Sequence, residues 1–460
     1  MCLVRVNLWR GENPPASLRP PHVRSGWGLG RLLLAALIAG MALPACAREP
    51  NREAADDPDT VAIARARWPR FPLLPDGRFP ISAWCAPPVL ETNDARYEEY
   101  AGAGFNVALF ALEDPYLEPS NLKRLPVAAG HHVYAILRDR RVDPDESYRP
   151  GWQSRVDSVV AAYWSHPNFL AYFLADEPDV SIFSGLGVLN RRFAADDSLH
   201  PGYVNLLGCP GPGGAYRGLP FSAYLRRFVR QVQPSFFSID QYVFRRDGDF
   251  PMFCAGMDTA RQVSKETSTP FWAILLLTTH GPFRKLTEGE LAWQANLALA
   301  HGASGIVWFT YWTPNPSEGL GYRDGPIAYD GTRNPSYDFV ARLNPAIEAL
   351  GRELSPLRLV DVFHTGRLPL GGRALPPTSW LQVRRGGDLT LGFFEGRSAR
   401  YALLVNRDYR APQQVLVICL GQVERFAPST RSYHRVPAPG GMVSLALDPG
   451  GAALIRVSKQ

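Results

Sequence analysis

A (β/α)8 barrel followed by a small antiparallel β-sandwich is the fold the sequence predicts, and three observations carry that expectation. Between Phe79 and Leu354, apolar strand-like runs alternate eight times with helical segments. From about Pro356 the alternation stops, and short strands split by Gly, Pro, Asp and Arg turns take over. Midway, the apolar run Phe169-Leu-Ala-Tyr-Phe-Leu-Ala breaks off into Asp176-Glu-Pro-Asp179. The run suits one buried strand, and Pro178 stops it, so two carboxylates stand at the C-terminal tip of a core strand.

The strand-like runs are Phe79–Cys85, Asn106–Leu112, His132–Leu137, Leu170–Ala175, Gly202–Leu207, Phe236–Ile239, Phe271–Leu277 and Gly305–Tyr311. Helix-like segments separate them, from Asp94–Ala103 to Tyr337–Leu354. Strands alternating with amphipathic helices imply a parallel sheet with right-handed crossovers. Eight units over about 280 residues fit a closed barrel better than an open doubly wound sheet. No GxGxxG follows the first strand. The loop Gly208-Cys-Pro-Gly-Pro-Gly-Gly214 has no helix pattern behind it, so a dinucleotide or phosphate cradle is not expected. The later runs Leu381–Val383, Leu389–Phe394, Tyr401–Asn406, Gln414–Cys419, Met442–Leu447 and Ala453–Val457 read as the sandwich.

The chain has 460 residues, 46% of them hydrophobic, enough for one large and one small domain. The expected division is 1–47 signal, 48–75 linker, 76–355 barrel and 356–460 sandwich. Arg24 and Arg31 flank the apolar core Leu32–Leu43, which is followed by Pro44-Ala-Cys-Ala47. This fits an export signal, and the core is too short to span a bilayer. Leu43-Pro-Ala-Cys46 also has the form of a bacterial lipobox with Cys46 lipidated, while plain cleavage after Ala47 stays open. Membrane contact is expected only through that anchor. Net charge is +6, but the cations are almost all scattered Arg, with Lys only at 123, 265, 285 and 459. No basic block or helix face points to nucleic acid. Cys85, Cys209, Cys254 and Cys419 lack metal-ligand spacing, which leaves buried free thiols or one long-range bridge. No metal or other cofactor is expected.

Polar residues at the strand tips define the expected site. Strand 1 ends at Trp84 and Cys85, strand 2 near Glu113 and Asp114, and strand 3 at Arg138 and Asp139. Strand 4 ends at Asp176 and Glu177, strand 5 carries Asn205, and strand 6 ends at Asp240, Gln241 and Tyr242. Strand 7 ends at Thr278, Thr279 and His280, and strand 8 at Tyr311 and Trp312. In parallel β/α proteins that end holds the chemistry. Rings stack on the apolar faces of sugars while carboxylates, Asn and Arg bind hydroxyls, so an oligo- or polysaccharide suits this set. Trp308 is expected to fill the core. A carboxyl half-buried beside Tyr172 and Trp164 would keep its proton at neutral pH and act as general acid.

With these residues in place, 79–355 resembles the glycoside hydrolase (β/α)8 superfamily, in particular its clan-A and β-galactosidase-like branch. Tyr172-Phe-Leu-Ala-Asp-Glu-Pro-Asp179 is similar to the strand-4 motif of that branch, and the segment ending Leu445-Ala-Leu-Asp-Pro-Gly-Gly451 resembles its accessory sandwich. Phe237-Ser-Ile-Asp-Gln-Tyr242 and the stretch Thr287–Trp312 are similar to the strand-6 and helix-7 to strand-8 regions. The resemblance implies that Glu177 is the acid/base. It also implies a nucleophilic Glu at the tip of strand 7, where Phe271–His280 has no carboxylate. Glu288 and Glu290 come later, where acids commonly form the first helical turn. Asp240 is the substitute, with Glu318 and Glu113 behind it. Arg138, Asp176, Asn205, Trp84, Tyr242, His280, Tyr311 and Trp312 would bind substrate. A wide gap between Glu177 and Asp240 would mean inversion, a narrow one retention.

Three other readings stay open. One is a glycan-binding lipoprotein on the same barrel without catalysis. Another is a metal-assisted hydrolase using His280 with Asp240 and Glu177. The last is a purely structural or partner-binding surface protein.

Overall fold

The structure is a computed structural model that describes residues 73–110, 118–211, 214–317, 319–419 and 421–459. Eight parallel strands close into a barrel: β1 (Ile81–Trp84), β2 (Val107–Phe110), β3 (Tyr134–Leu137), β4 (Phe169–Asp176), β5 (Gly202–Leu207), β6 (Phe237–Asp240), β7 (Phe271–Leu276) and β8 (Ile306–Phe309). Their helices are α1 (Asp94–Gly102), α2 (Glu118–Gly130), α3 (Trp152–Tyr163), α4 (Phe183–Asp196), α5 (Phe221–Val232), α6 (Phe253–Thr267), α7 (Glu288–Ala300) and α8 (Pro335–Leu354). Nearly every strand residue is buried, as a sheet covered on both faces requires.

Nine antiparallel strands follow: β9 (Arg358–His364), β10 (Leu381–Arg385), β11 (Leu389–Glu395), β12 (Ala399–Asn406), β13 (Gln413–Cys419), β14 (Val423–Ala427), β15 (Ser432–Arg435), β16 (Met442–Leu447) and β17 (Ala452–Ser458). They form a six-stranded sheet in the order β9-β11-β12-β17-β14-β15 and a three-stranded sheet β10-β13-β16. Leu391, Ala402, Leu404, Val417, Leu445 and Ile455 fill the space between the two sheets. β16 alternates exposed and buried positions along its length, the mark of a strand with one wet face.

Helix α7 shows why the two parts hold together. Residues Glu290–Ala300 are almost all buried, because the helix lies between the barrel and the six-stranded sheet. On one side Gln294 hydrogen-bonds Leu276 of β7 at both N–H and C=O, at 3.0 Å each. On the other, Asn296 Nδ2 donates to Gly450 O at 3.0 Å and Trp293 Nε1 to Arg407 O at 3.1 Å. A capping box starts the helix, with Glu290 Oε2 accepting from Thr287 N at 2.8 Å. Glu288 pairs with Arg342. Both acids therefore serve the helix, as their position in the first turn suggested.

Cys85, Cys209, Cys254 and Cys419 are all free thiols. Among the described residues no helix is long and apolar enough to cross a membrane, and no cluster of His, Cys, Asp or Glu is arranged to hold a metal ion. The export segment with Cys46, the linker up to residue 72, Glu113, Asp114 and Glu318 lie outside the described residues.

Candidate active site

The site begins with an irregularity in β4. Against β5 its pairing runs Phe173 with Tyr203 and then Ala175 with Val204, so β4 carries one extra residue. Such a bulge shifts every later side chain to the opposite face. Asp176 is thereby brought level with Asn205, whose Nδ2 donates to Asp176 Oδ1 at 3.0 Å. Asn205 is itself fixed, since its Oδ1 accepts from Ser238 Oγ of β6 at 3.2 Å.

Glu177 continues the ladder for one more step, its N–H donating to Asn205 O at 2.9 Å. Its φ is then +44°. A non-glycine residue in that left-handed region costs about 1–3 kcal/mol and persists where surrounding structure holds it. The turn sets the Glu177 carboxyl beside the Asp240 carboxyl at the tip of β6, close enough for each to act on the other's titration. Two carboxyls that close do not both ionise readily, so one keeps a proton.

Electrostatics gives that proton a home. Burial in the barrel mouth raises the pKa of Glu177, and the neighbouring charge and hydrogen bond of Asp240 raise it further. Burial also raises Asp240, to about 6, with help from the charge of Asp176, while Glu177, the Gly208 N–H and its own N–H favour the anion there. The proton therefore rests on Glu177, and Asp240 carries the charge. Burial, first of all, pushes Asp176 up to about 7, against the pull of Asn205 and Arg138. By surface area Asp176 and Glu177 are exposed at the open mouth. Their desolvation is that of a concave floor walled by protein, which sets the direction of the shift without the full cost of a sealed interior.

Gly208, just after β5, makes this arrangement possible. A Cβ there would lie 1.9 Å from Asp240 O, so only glycine lets the β5–α5 loop approach close enough to donate to Asp240. Tyr216, in a short hairpin of the same loop, donates its hydroxyl to Gly208 O and lies near both Asp240 and Glu177.

The β7–β8 side of the mouth is aromatic. Tyr242 packs against His280, Phe283 and Phe309 with centroids 5.8, 5.4 and 5.7 Å away, and Tyr322 stacks on His280 at 5.5 Å. Tyr242, Phe283, Phe309 and Tyr322 are half-buried, leaving ring surface to the mouth. Burial pushes His280 down to about 4, so the imidazole is neutral. Its Nδ1 lies 2.7 Å from Thr278 O, which assigns the proton to Nδ1 and leaves Nε2 an acceptor. The nearby carboxylate Asp324 is taken up by Thr279 Oγ1 at 2.8 Å and Lys285 at 3.3 Å.

The structure thus brings together Glu177, Asp240, Asp176, Asn205, Tyr242 and His280. Arg138 joins them from β3, its guanidinium 5.9 Å from the Phe173 ring and its charge acting on Asp176. Trp84 lies beneath the mouth, buried edge-on against Phe173 at 5.6 Å. Two residues expected there are elsewhere. Tyr311 is buried under α1, T-shaped on Tyr100 at 4.7 Å and on Phe105 at 5.3 Å. Trp312 is covered by Arg96 at 5.1 Å and by the loop carrying Tyr329. The reason is that β8 ends at Phe309, two residues short of the expected strand, so Phe309 rather than Tyr311 faces the mouth. Trp308 is core and donates to Asn344 of α8 at 2.9 Å.

The neighbours expected to keep Glu177 protonated are also different. Tyr172 faces outward, donating to Asp197 at 2.7 Å and stacking on Phe193. Trp164 is exposed beyond the end of α3. The proton is held instead by the mouth and by Asp240. The sequence reading missed Phe309, Phe283, Tyr322 and Tyr216. A tighter end for β8 would have signalled Phe309; the other three sit in loops without a strand register to place them.

No family model matches the chain, and no curated protein matches it. Among solved structures it is similar to a catalytic mutant of Gan42B, a GH42 β-galactosidase from G. stearothermophilus. That match has a TM-score of 0.57 and 8% identity over 83% of this chain and 98% of the other. A β-galactosidase from Bacillus circulans sp. alkalophilus matches at TM-score 0.54 and 8% identity, over 83% and 99%. A family 5 glycoside hydrolase from Bacteroides vulgatus matches at 0.50 and 10%, over 83% and 89%. The fold shared with these structures is a (β/α)8 barrel followed by an antiparallel β-sandwich. At these identities the likeness is one of fold.

Proposed function

We propose that the protein is an exported glycoside hydrolase in which Glu177 is the acid/base and Asp240 the nucleophile. The observation that carries this reading is the placement of two mutually perturbed carboxyls at the tips of β4 and β6. Their environments push the roles apart, one kept protonated and one kept charged, as acid/nucleophile chemistry needs. Glu177 would protonate the glycosidic oxygen while Asp240 attacks the anomeric carbon, and the C–O bond breaks to release the alcohol. Water deprotonated by Glu177 would then displace Asp240. Attack by Asp240 itself implies retention. The substrate is an oligo- or polysaccharide, stacked on Tyr242, Phe283, Phe309 and Tyr322 and hydrogen-bonded by Asp176, Asn205, Arg138 and His280. No cofactor takes part. Export and the choice between a Cys46 lipid anchor and cleavage after Ala47 rest on the N-terminal sequence.

The aromatic wall where a β7 nucleophile would stand favours a second reading, a glycan-binding protein without turnover. Hydrolysis of a panel of aryl glycosides and polysaccharides by the protein, Glu177→Gln and Asp240→Asn decides. The proposal expects turnover that falls at least about 100-fold in each variant, with the first product anomer retained. No turnover, with glycan binding that survives both substitutions, selects the binding protein.

A further inference from the structure

The opposite pole of the barrel carries a second feature. Asp157, Val160, Ala161 and Trp164 recur at i, i+3, i+4 and i+7 and form one stripe along α3 and its end. With Arg192 and Asp196 of α4 they line a surface depression of about 420 Å³. Trp164 is 56% exposed, rare for the largest apolar side chain. Arg192 is stretched between two acids, its Nε 2.8 Å from Asp196 and its Nη2 on Asp157. The polar groups beside the indole are thus held in place. α3 runs against the strands, so its end lies by the start of β4. The eight steps from Phe169 to Glu177 along β4 put roughly 26 Å between this place and Glu177.

We infer that this depression is a second carbohydrate-binding site, one that holds a glycan chain without cleaving it. An open indole face gives a pyranose ring its stacking surface, and a fixed row of carboxylate and guanidinium groups offers acceptors and donors to its hydroxyls. An apolar partner would strip water from the Arg192 ion pairs with Asp157 and Asp196 and offer their remaining donor and acceptor sites nothing in return. The shallow shape suits a chain lying across the surface rather than a small molecule engulfed. This inference rests on the proposed glycosidase reading for its choice of ligand, but not on turnover.

The test is affinity gel electrophoresis of the full chain in gels containing galactan, arabinogalactan, xylan or soluble cellulose derivative, beside hydrolysis of aryl glycosides. The native protein and Glu177→Gln should be retarded by at least one polysaccharide. Trp164→Ala and Arg192→Ala should lose at least fivefold in apparent affinity, with kcat/KM on the aryl glycosides within twofold of native. Trp164 is exposed, so its loss leaves the fold intact, which an unchanged melting curve verifies. No retardation in any gel, or equal retardation of Trp164→Ala, overturns the site even if hydrolysis is found. Retardation lost in Trp164→Ala without any hydrolysis keeps the site and overturns only the glycosidase reading.

Discussion

Asp176 is where activity and stability pull apart. Its carboxyl is raised to about 7, chiefly by burial. A carboxyl whose folded pKa lies above its unfolded one lends stability below the unfolded value, and this is lost as pH rises through the folded value. For Asp176 the loss falls between about pH 4 and pH 7. Asp176→Asn should therefore raise Tm relative to the native protein more at pH 8 than at pH 4, while lowering hydrolysis. A Tm difference independent of pH would mean that Asp176 is not held at a cost. At this scale the carboxylates were legible because an apolar run that stops at Asp176 and Glu177 leaves few places for them. The aromatic wall was not legible. Phe283 and Tyr322 come from loops, and a two-residue difference at the end of β8 decides that Phe309, not Tyr311, faces the mouth.

The elements that matter most are the β5–α5 loop and α7. Gly208→Ala would drive a Cβ into the Asp240 carbonyl. It should cost about 1–3 kcal/mol by overpacking and lower kcat, since the Gly208 N–H that favours charge on Asp240 moves away. Denaturant unfolding and initial rates check both. Thr287→Ala removes half of the α7 capping box and should cost about 1 kcal/mol with kcat unchanged. Most barrel elements were readable from periodicity, to within a few residues at the ends. Strands β9, β14 and β15 were not, because Arg358, Asp361, Glu424, Arg425, His434 and Arg435 interrupt the apolar pattern. β9 and β15 are the edges of their sheet, where charged residues are tolerated and keep other chains from pairing. The bulge in β4 left no trace in the sequence, yet it aims Asp176.

At the scale of the molecule, the barrel and the six-stranded sheet share one core. Phe394, Tyr401, Leu403, Val405, Phe426 and Leu454 belong to the same buried cluster as the barrel. A chain ending at residue 355 should accordingly be insoluble, and the whole should unfold in a single transition by fluorescence and far-UV circular dichroism. Two separated transitions would show that the sandwich is an independent appendage. The division into barrel and sandwich was legible from the change of texture near Pro356. Their shared core was not, because α7 reads as an ordinary apolar helix until both of its neighbours are known.

The claim on which everything turns is that Glu177 and Asp240 work as one unit. A double-mutant cycle on kcat/KM, with Glu177→Gln, Asp240→Asn and the double variant on one aryl glycoside, tests it most directly. Groups that act as a unit lose as much singly as together. The expected result is a loss of at least about 100-fold in each single variant and nearly the same loss in the double. Losses that multiply, or an Asp240→Asn enzyme within tenfold of native, would contradict the account.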